Sequence, residues 1–341
     1  MHRRLISCAL AVVVLMSCST AVVSAHGGDK ADQAAGSVTR VAPPVQGEVQ
    51  TRATKKPDGS YSTKSAHTTT SAPANSRGKL AVQSTESSKT LTIGLPTEVA
   101  QADAVVSSDG SVVYGSDSDT SSTVVQAFTN GVRISTTLTS KDAGTSFSYP
   151  LDLKKGSHID VQDNGGVEIV GPDGAFLGGL LPPWAKDANG ASVPTHYAVH
   201  GNSVVQVIDG NPAALAYPVV ADPWYFIDLI SWSKWKVDHI AANGRYAWTL
   251  QVYPTPWAMV NSGNPLVAEA GWSELVSKDT YHTINTNVGS MHWQYDCHQL
   301  LFASILKLVQ NGYVVYNLGE YQRDDGFVGT QLDKCNPPNL Y

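Results

Sequence analysis

The stretch TVVQAFTNGVRIS, residues 123–135, determines the architecture of the central part of the chain. Two runs rich in β-branched residues flank Asn130-Gly131, and Asn-Gly between such runs is the strongest short-range signal for a β-hairpin. Similar short runs lie on both sides of this hairpin and are separated by turns rich in Gly, Asp and Asn. We therefore predict an antiparallel β-rich domain, a sandwich or a meander, over residues 89–223.

The composition changes after Pro223. Seven of the eight tryptophans lie between Trp224 and Trp293, which indicates a separate core. An alternating run over residues 245–253 predicts a strand, and Asn264-Pro265 predicts the start of a helix that continues to residue 278. A second helix is expected over residues 290–310, then a strand over 313–321 and a terminal loop. Residues 224–341 thus form a small α+β domain.

The four cysteines indicate the cellular compartment. Cys8 and Cys18 lie in an apolar leader with a basic start, so residues 1–25 are predicted to be a cleaved signal peptide. Cys297 and Cys335 then remain, and a pair of cysteines outside the cytoplasm most simply forms a disulfide. The alternative is a lipoprotein anchored through Cys18, because Leu15-Met16-Ser17-Cys18 is similar to a lipoprotein box. No later segment is apolar enough to form a transmembrane helix.

The region after the leader is polar. Residues 26–88 are rich in Ser, Thr, Ala, Gly and Gln, and Tyr61 is their only aromatic residue. Such a composition buries little apolar area, so we predict a disordered linker or N-terminal tail. The whole chain has a formal net charge of −6. Nucleic acid is therefore not an expected partner, because binding to it depends on neutralising phosphates.

Two stretches resemble known sequences. Residues 182–190, 193–197 and 217–223 resemble an N-terminal module found in many secreted proteins of Gram-positive bacteria. The C-terminal part resembles the family called domain of unknown function 2599, through Trp272 to Val276, Gln294 to His298, Tyr316 to Glu320 and Cys335-Asn336-Pro337. Arg323 is followed by Asp324 where the family tends to have Arg-Pro. The resemblance implies no activity, so chemistry has to be argued from individual residues.

His298 is the main catalytic candidate. On a helix over 290–310, Met291, Tyr295 and His298 form one apolar stripe, while His292, Asp296, Gln299 and Lys307 lie on the opposite polar face. A half-buried His298, oriented by Glu320 or Asp296, could act as a general base. The structural alternative is a core histidine beside the disulfide. His292 and Asp296 form a surface pair across one turn.

The tryptophans are candidates for binding. Trp232 and Trp235 bracket Lys234, and Trp257 follows a Pro-x-Pro turn, so these three are expected at a surface where indoles can stack on sugars or anchor a protein. The motifs expected for a metal or a phosphate-bearing cofactor do not occur, so no metal and no cofactor is expected.

Three hypotheses about function follow. The first is a secreted binding or effector module of the bacterial envelope that contacts a cell-wall glycan or an extracellular protein. The second is a hydrolase of a wall polymer that uses His298. The third is a pro-protein, cut near Pro223, that releases a C-terminal antibacterial effector.

Overall fold

A computed structural model describes residues 19–44, 48–99, 101–115, 120–240, 246–278, 284, 286–302 and 314–339. Its first element is helix α1, Ser19–Val41. Ala31, Ala35, Val38 and Val41 recur every three or four residues and are buried against a β-sheet. Among the described residues, no helix combines the length and the apolar character needed to cross a membrane.

An antiparallel meander of five strands follows α1. Its spatial order is its chain order: β1 (Thr54–Lys55), β2 (Tyr61–Lys64), β3 (Thr68–Ala72), β4 (Lys79–Ser84) and β5 (Thr90–Gly94). The prediction of a disordered linker over residues 26–88 is therefore wrong for the described part of that range. Buried threonines at 63, 68 and 70 alternate with more exposed residues. β-branched threonine suits a strand, so low apolar content does not exclude a sheet here.

The predicted β-rich domain is confirmed as antiparallel sheets. The larger sheet has eleven strands: β6 (Ala104–Val106), β7 (Val112–Tyr114), β8 (Ser121–Ala127), β9 (Gly131–Leu138), β11 (His158–Val161), β12 (Val167–Val170), β13 (Phe176–Leu180), β14 (Trp184–Lys186), β15 (Ser192–Val193), β18 (Val219–Asp222) and β19 (Trp224–Phe226). The smaller sheet pairs β10 (Ser146–Pro150) with β17 (Ser203–Ile208) and β17 with β16 (Thr195–His200). Strands β8 and β9 form the hairpin expected around Asn130-Gly131.

Strand β19 lies between β13 and β9, and it pairs antiparallel with both. The prediction placed this strand in the second domain, whereas its hydrogen bonds belong to the sheet of the first. Every residue from Val219 to Ile230 is buried. We call the described residues up to Phe226 the first module and those from Ile227 onward the second module.

The second module is a three-stranded antiparallel sheet covered by helices. The sheet order is β20 (Ile230–Ile240), β21 (Tyr246–Pro254) and β22 (Tyr316–Gly319). The helices are α2 (Pro256–Val260), α3 (Pro265–Lys278), α4 (Val288–Cys297) and α5 (Gly326–Leu332), and a π-helical turn, His298–Phe302, extends α4. Leu250, Leu275, Met291 and Tyr295 are fully buried in its core.

The predicted boundaries of the helices agree with the structure to different degrees. Helix α3 begins and ends as predicted, and the side chain of Asn264 accepts a hydrogen bond from the Leu266 N–H (3.0 Å). The loop predicted for the C-terminal tail is wrong over α5. Residues 303–313, which include Lys307, the end of the second predicted helix and the start of the predicted strand, lie outside the described residues.

An apolar cluster joins the two modules. The Nε1–H of Trp257 donates to the Leu180 carbonyl oxygen (3.0 Å), and the ring lies against Gly179, where an added Cβ would come within 2.2 Å of it. The cluster therefore requires glycine at this position. Its buried members come from both modules: Phe128, Phe176, Trp224, Phe226, Leu229, Trp257, Ala258 and Val267.

Candidate functional site

A cleft of about 620 Å³ lies where the first module meets helix α3. One wall comes from hairpin β11–β12, the turn that follows it and the loop before β5, and the other wall comes from α3. A site of this size between two modules is where ligands commonly bind, and apolar walls with a few polar groups are typical of such sites. We refer to this cavity as the cleft.

Helix α3 forms its wall with one stripe of side chains. Leu266, Ala270, Ser273 and Ser277 recur every three or four residues along the cleft, and Glu269 lies beside Ala270. The opposite face of α3, with Leu275, is buried in the core. Leu266 is 68% exposed at the edge of the cleft, where it offers an apolar contact beside the polar groups of the walls.

The β wall carries a pair of carboxylates. Asp160 on β11 and Glu168 on β12 face each other directly in the antiparallel register. Burial, and then the neighbouring Asp160, raise the pKa of Glu168. Gln162 donates a hydrogen bond to Glu168 (3.3 Å), and His158 lies 3.2 Å from Asp160. The pair concentrates negative charge on this wall.

Glu274 connects the two walls. Its carboxylate lies 2.6 Å from the Nζ of Lys89, which belongs to the first module, and 2.9 Å from the Nζ of Lys278. It also accepts hydrogen bonds from the backbone N–H groups of Leu229 (3.0 Å) and Ile230 (2.9 Å). Burial alone would raise the pKa of Glu274, but the two ammonium groups and these hydrogen bonds hold it below its usual value. Glu274 is therefore ionised and fixed.

The ion pairs continue behind Glu274. The carboxylate of Asp228 is 1% exposed and lies 3.7 Å from Lys89 and 3.6 Å from Lys278. Burial, and then the charge of Glu274, raise the pKa of Asp228. Lys278 also lies 3.8 Å from Glu86 of the first module. This network therefore links the two modules, and with them the two walls of the cleft.

The electrostatic character of the cleft is acidic. Lys89 and Lys278 already neutralise Glu274, and Lys89 also lies 5.4 Å from the centre of the Phe176 ring. Among the described residues that line the cleft, the other basic group is the imidazole of His158. Four further carboxylates outnumber it: those of Asp160, Glu168, Asp173 and Glu269. Together with the apolar side chains, this arrangement suits a ligand with both cationic and apolar groups.

A row of aromatic rings adjoins the cleft. The rings of Trp272 and His292 stack at 4.6 Å, and the ring of Trp293 lies nearly parallel to that of His292 at 5.7 Å. His292 lies 3.5 Å from Asp296, as predicted, and 3.8 Å from Glu269. Burial raises the pKa of Asp296. The nearby His292 opposes this shift, and the charge of Glu269 adds to it. Glu269 thus contributes to both the cleft and this row.

His298 is buried, with 6% exposure, and it does not line the cleft. Its ring stacks on Tyr316 at 5.1 Å, and neither ring nitrogen has a hydrogen-bond partner among the described residues. Burial lowers its pKa to about 4. Neither predicted supporting carboxylate, Glu320 nor Asp296, hydrogen-bonds to this imidazole. This geometry is typical of a core histidine. A catalytic role for His298, supported by Glu320 or Asp296, stays a prediction.

The tryptophans differ from the expectation. Trp257 is fully buried and Trp235 is 8% exposed, so the expected surface positions of these two residues are wrong. Helix α2 directs Trp257 into the junction between the modules, and the alternation of β20 turns Trp235 towards the helices. Of the three candidates, Trp232 alone is half-exposed, and its ring stacks on that of Tyr253 at 5.6 Å.

The predicted disulfide between Cys297 and Cys335 is confirmed. Both residues are fully buried, with Cα atoms 5.4 Å apart, and the bond joins the end of α4 to the segment after α5. Gln299, expected on the polar face, is buried and donates to the Ala258 carbonyl oxygen (2.9 Å). The π-helical turn at residues 298–302 adds a residue to the turn and so changes which side chains face inward.

Sequence reasoning missed the cleft. The stripe on α3 could have been read from the spacing of Leu266, Ala270, Ser273 and Ser277, and the Asp160–Glu168 pair from the hairpin. No local signal identifies Lys89, because its partners lie in the other module. Among the described residues, no cluster of three or more His, Cys, Asp or Glu side chains has an arrangement that could hold a metal ion.

Residues 227–338 match the model of a family described as "Protein of unknown function (DUF2599)". This confirms the resemblance of the C-terminal region, and the matched segment begins at the first residue of the second module. No curated protein and no solved structure matches the chain. The similarity of the earlier segment to a module of secreted proteins stays a prediction.

Proposed function

We propose that this protein is exported and acts as a binding protein, and that its cleft holds a basic, partly apolar segment of an extracellular protein partner. The observation that carries the proposal is the cleft itself: a cavity of about 620 Å³ with exposed Leu266 at its edge and an excess of carboxylates in its walls. Lysine or arginine side chains of a partner would neutralise these carboxylates, and an apolar side chain would cover Leu266.

Export is supported by two independent features. The predicted signal peptide, residues 1–25, has a basic start and an apolar run. The Cys297–Cys335 disulfide is of the kind that persists in an oxidising compartment and is rare in the cytosol. The alternative, a lipoprotein anchored through Cys18, also places the protein outside the cytoplasm, but attached to the membrane by a lipid.

A binding role has better support than a hydrolytic one. A general base must reach a substrate proton, and the imidazole of His298 is buried against Tyr316. The pro-protein hypothesis also lacks support. The proposed cut near Pro223 lies in a buried segment, and the residues that follow it, 224–226, pair with β9 in the sheet of the first module.

A cell-wall glycan is the second candidate partner. Trp232 is half-exposed, and on the same face of the sheet Lys234 and Asn317 are exposed. Stacking on an indole and hydrogen bonding to polar side chains are the usual means of binding sugars. This surface is separate from the cleft, so variants can distinguish the two candidates.

The test uses the exported chain and two fluorescent peptides that alternate leucine with either lysine or glutamate. We expect the lysine peptide to bind and the glutamate peptide not to. The double change of Glu168→Gln and Glu269→Gln should weaken binding about tenfold or more, since each lost charge pair removes about 1 kcal/mol. The control is Asp142→Asn, whose side chain is 68% exposed and lies outside the cleft.

Two outcomes would contradict the proposal. Equal affinity for both peptides would show that the cleft does not select charge, and unchanged affinity in the double variant would show that binding occurs elsewhere. Sedimentation with purified cell wall tests the second candidate, and there Trp232→Ala should reduce the bound fraction.

A further inference from the structure

A second cavity, of about 350 Å³, lies between helix α1 and the first module's large sheet. Strands β7, β8 and β9 line one side and α1 lines the other. The cleft is formed by other elements, so the two cavities are separate. We call this space the α1 cavity.

The sheet wall contains a buried hydroxyl group that lacks a partner among the described residues. Thr137 lines the α1 cavity, is 2% exposed and has no hydrogen-bond partner for its hydroxyl among the described residues. It shares its face of β9 with Arg133, whose guanidinium donates to the Ala42 carbonyl oxygen at the end of α1 (2.8 Å). Ser135 lies between them on the same face, and its buried hydroxyl also lacks a partner in the described chain. Buried polar atoms without partners are rare, so each requires an explanation.

The helix wall leaves this space open because its side chains are small. Ala31, Ala34 and Ser37 face the cavity, where larger residues would fill it. Helix α1 is nevertheless fixed in place, since Asp32 accepts a hydrogen bond from the Ser108 N–H (2.6 Å) and Lys186 donates to the Val41 carbonyl oxygen (2.9 Å). The cavity is therefore a defined space under an anchored helix.

The charged groups among the described residues that line the α1 cavity are all positive. Lys30 and Arg40 are its charged groups, they are exposed, and neither forms an ion pair within the described residues. The other polar groups that line the cavity are Gln33 and the hydroxyl side chains of Ser37, Ser121, Ser122, Thr137, Thr139 and Tyr217. Hydroxyl groups combined with cations suit a ligand that is anionic and carries several oxygen acceptors.

We propose that the α1 cavity is a ligand site for a small hydroxylated anion, a sugar that carries a phosphate or a carboxylate. Thr137 supplies a buried hydroxyl for the sugar, and Lys30 and Arg40 neutralise the anionic group. The site is independent of the cleft and of the function proposed for it.

The experiment is calorimetric titration of the full exported chain with glucose 1-phosphate, glucuronate and neutral glucose. We expect one of the two anions to bind with at least tenfold higher affinity than glucose. Stronger binding of glucose 1-phosphate would identify a phosphate ligand, and stronger binding of glucuronate a carboxylate ligand. Absence of binding by both anions at millimolar concentration would overturn the proposal.

Variants locate the site. Thr137→Val should reduce affinity about tenfold and leave the melting temperature unchanged or higher, because it removes an unpaired buried hydroxyl without changing the shape of the side chain. Arg40→Gln should weaken binding of the two anions and leave the affinity for glucose unchanged. The matched control is Arg77→Gln, because Arg77 is also exposed and does not line the cavity. Ala34→Phe should fill the cavity and abolish binding. Undiminished binding in Ala34→Phe, with the fold intact, would place the ligand elsewhere and refute the assignment.

Discussion

The ammonium group of Lys89 lies 2.6 Å from the carboxylate of Glu274, and this contact between the two modules is largely shielded from water. Lys89 comes from the segment just before β5, and Glu274 comes from α3. The two residues are 185 positions apart in the sequence, and their contact holds the two walls of the cleft together.

Breaking this pair should be costly. Lys89→Met leaves Glu274 with one cation fewer in a buried site, and loss of one partner of a buried ion pair typically costs about 3–5 kcal/mol. We expect a loss near the lower value, because Lys278 remains. Urea unfolding measures it.

The exposed pair Lys79–Asp152 provides the control. Lys79→Met should change the free energy of unfolding by less than about 1 kcal/mol. Equal losses in the two variants would show that the Lys89–Glu274 pair is not effectively buried.

His298 should make the protein sensitive to acid. Its pKa in the folded state is about 4, below the ordinary value of 6.5 for the unfolded chain. The unfolded chain therefore binds a proton first, and stability that is complete above pH 6.5 is lost as the pH falls towards 4. The loss from this group is about 3 kcal/mol.

The variant His298→Phe should remove this part of the pH dependence and keep the stacking on Tyr316. The melting temperature is measured between pH 4 and 7.5, with exposed His200→Gln as the control. An unaltered slope in His298→Phe would mean that the imidazole is already protonated or hydrated in the folded protein.

Trp257 and Trp232 should respond differently to alanine. Trp257→Ala removes a fully buried ring and its hydrogen bond to Leu180, and such changes cost about 3–5 kcal/mol. Trp232→Ala removes a half-exposed ring and should cost less than about 2 kcal/mol. Chemical denaturation compares them, and similar losses would argue against the buried position of Trp257.

The segment around Pro223 should resist proteolysis. Residues 219–230 are buried, and the carbonyl oxygen of Pro223 accepts a hydrogen bond from the Ile134 N–H (2.9 Å). Limited chymotrypsin digestion of the native chain should cut first at exposed Tyr246 and leave the bonds after Trp224, Tyr225 and Phe226 intact. Mass spectrometry of the exported protein should find both modules in one chain, whereas a native product that starts near Trp224 would support the pro-protein hypothesis.

The Cys297–Cys335 disulfide should contribute substantially to stability. It closes a loop with a sequence separation of 38 residues. In the chain-entropy model, opening such a loop costs about 4 kcal/mol. The double change of Cys297→Ser and Cys335→Ser should therefore lower the midpoint of urea unfolding strongly, and reductant should do so only in the parent protein. Two free thiols in the exported parent protein would contradict this prediction.

Local signals predicted local structure well. Asn130-Gly131 formed its hairpin and Asn264-Pro265 began α3, because turn conformation and helix capping each depend on a few neighbouring residues. The disulfide was predictable for another reason, since Cys297 and Cys335 are the only cysteines after the leader. Strands β1–β4 were missed because their threonines are buried by contacts with strands that lie further along the chain. The site was missed for the same reason, since Lys89 and Glu274 acquire their roles only through tertiary contact.

The insertion of β19 between β9 and β13 has a consequence for biogenesis. When the ribosome has made residues 1–180, both neighbours of this strand exist, but the gap between them is still empty. The nascent first module therefore cannot close its sheet until residue 226 has been synthesised, and such long-range pairing is slow. Until then the edges of β9 and β13 that β19 later occupies expose unpaired backbone groups, and only the arrival of residues 224–226 closes this part of the sheet.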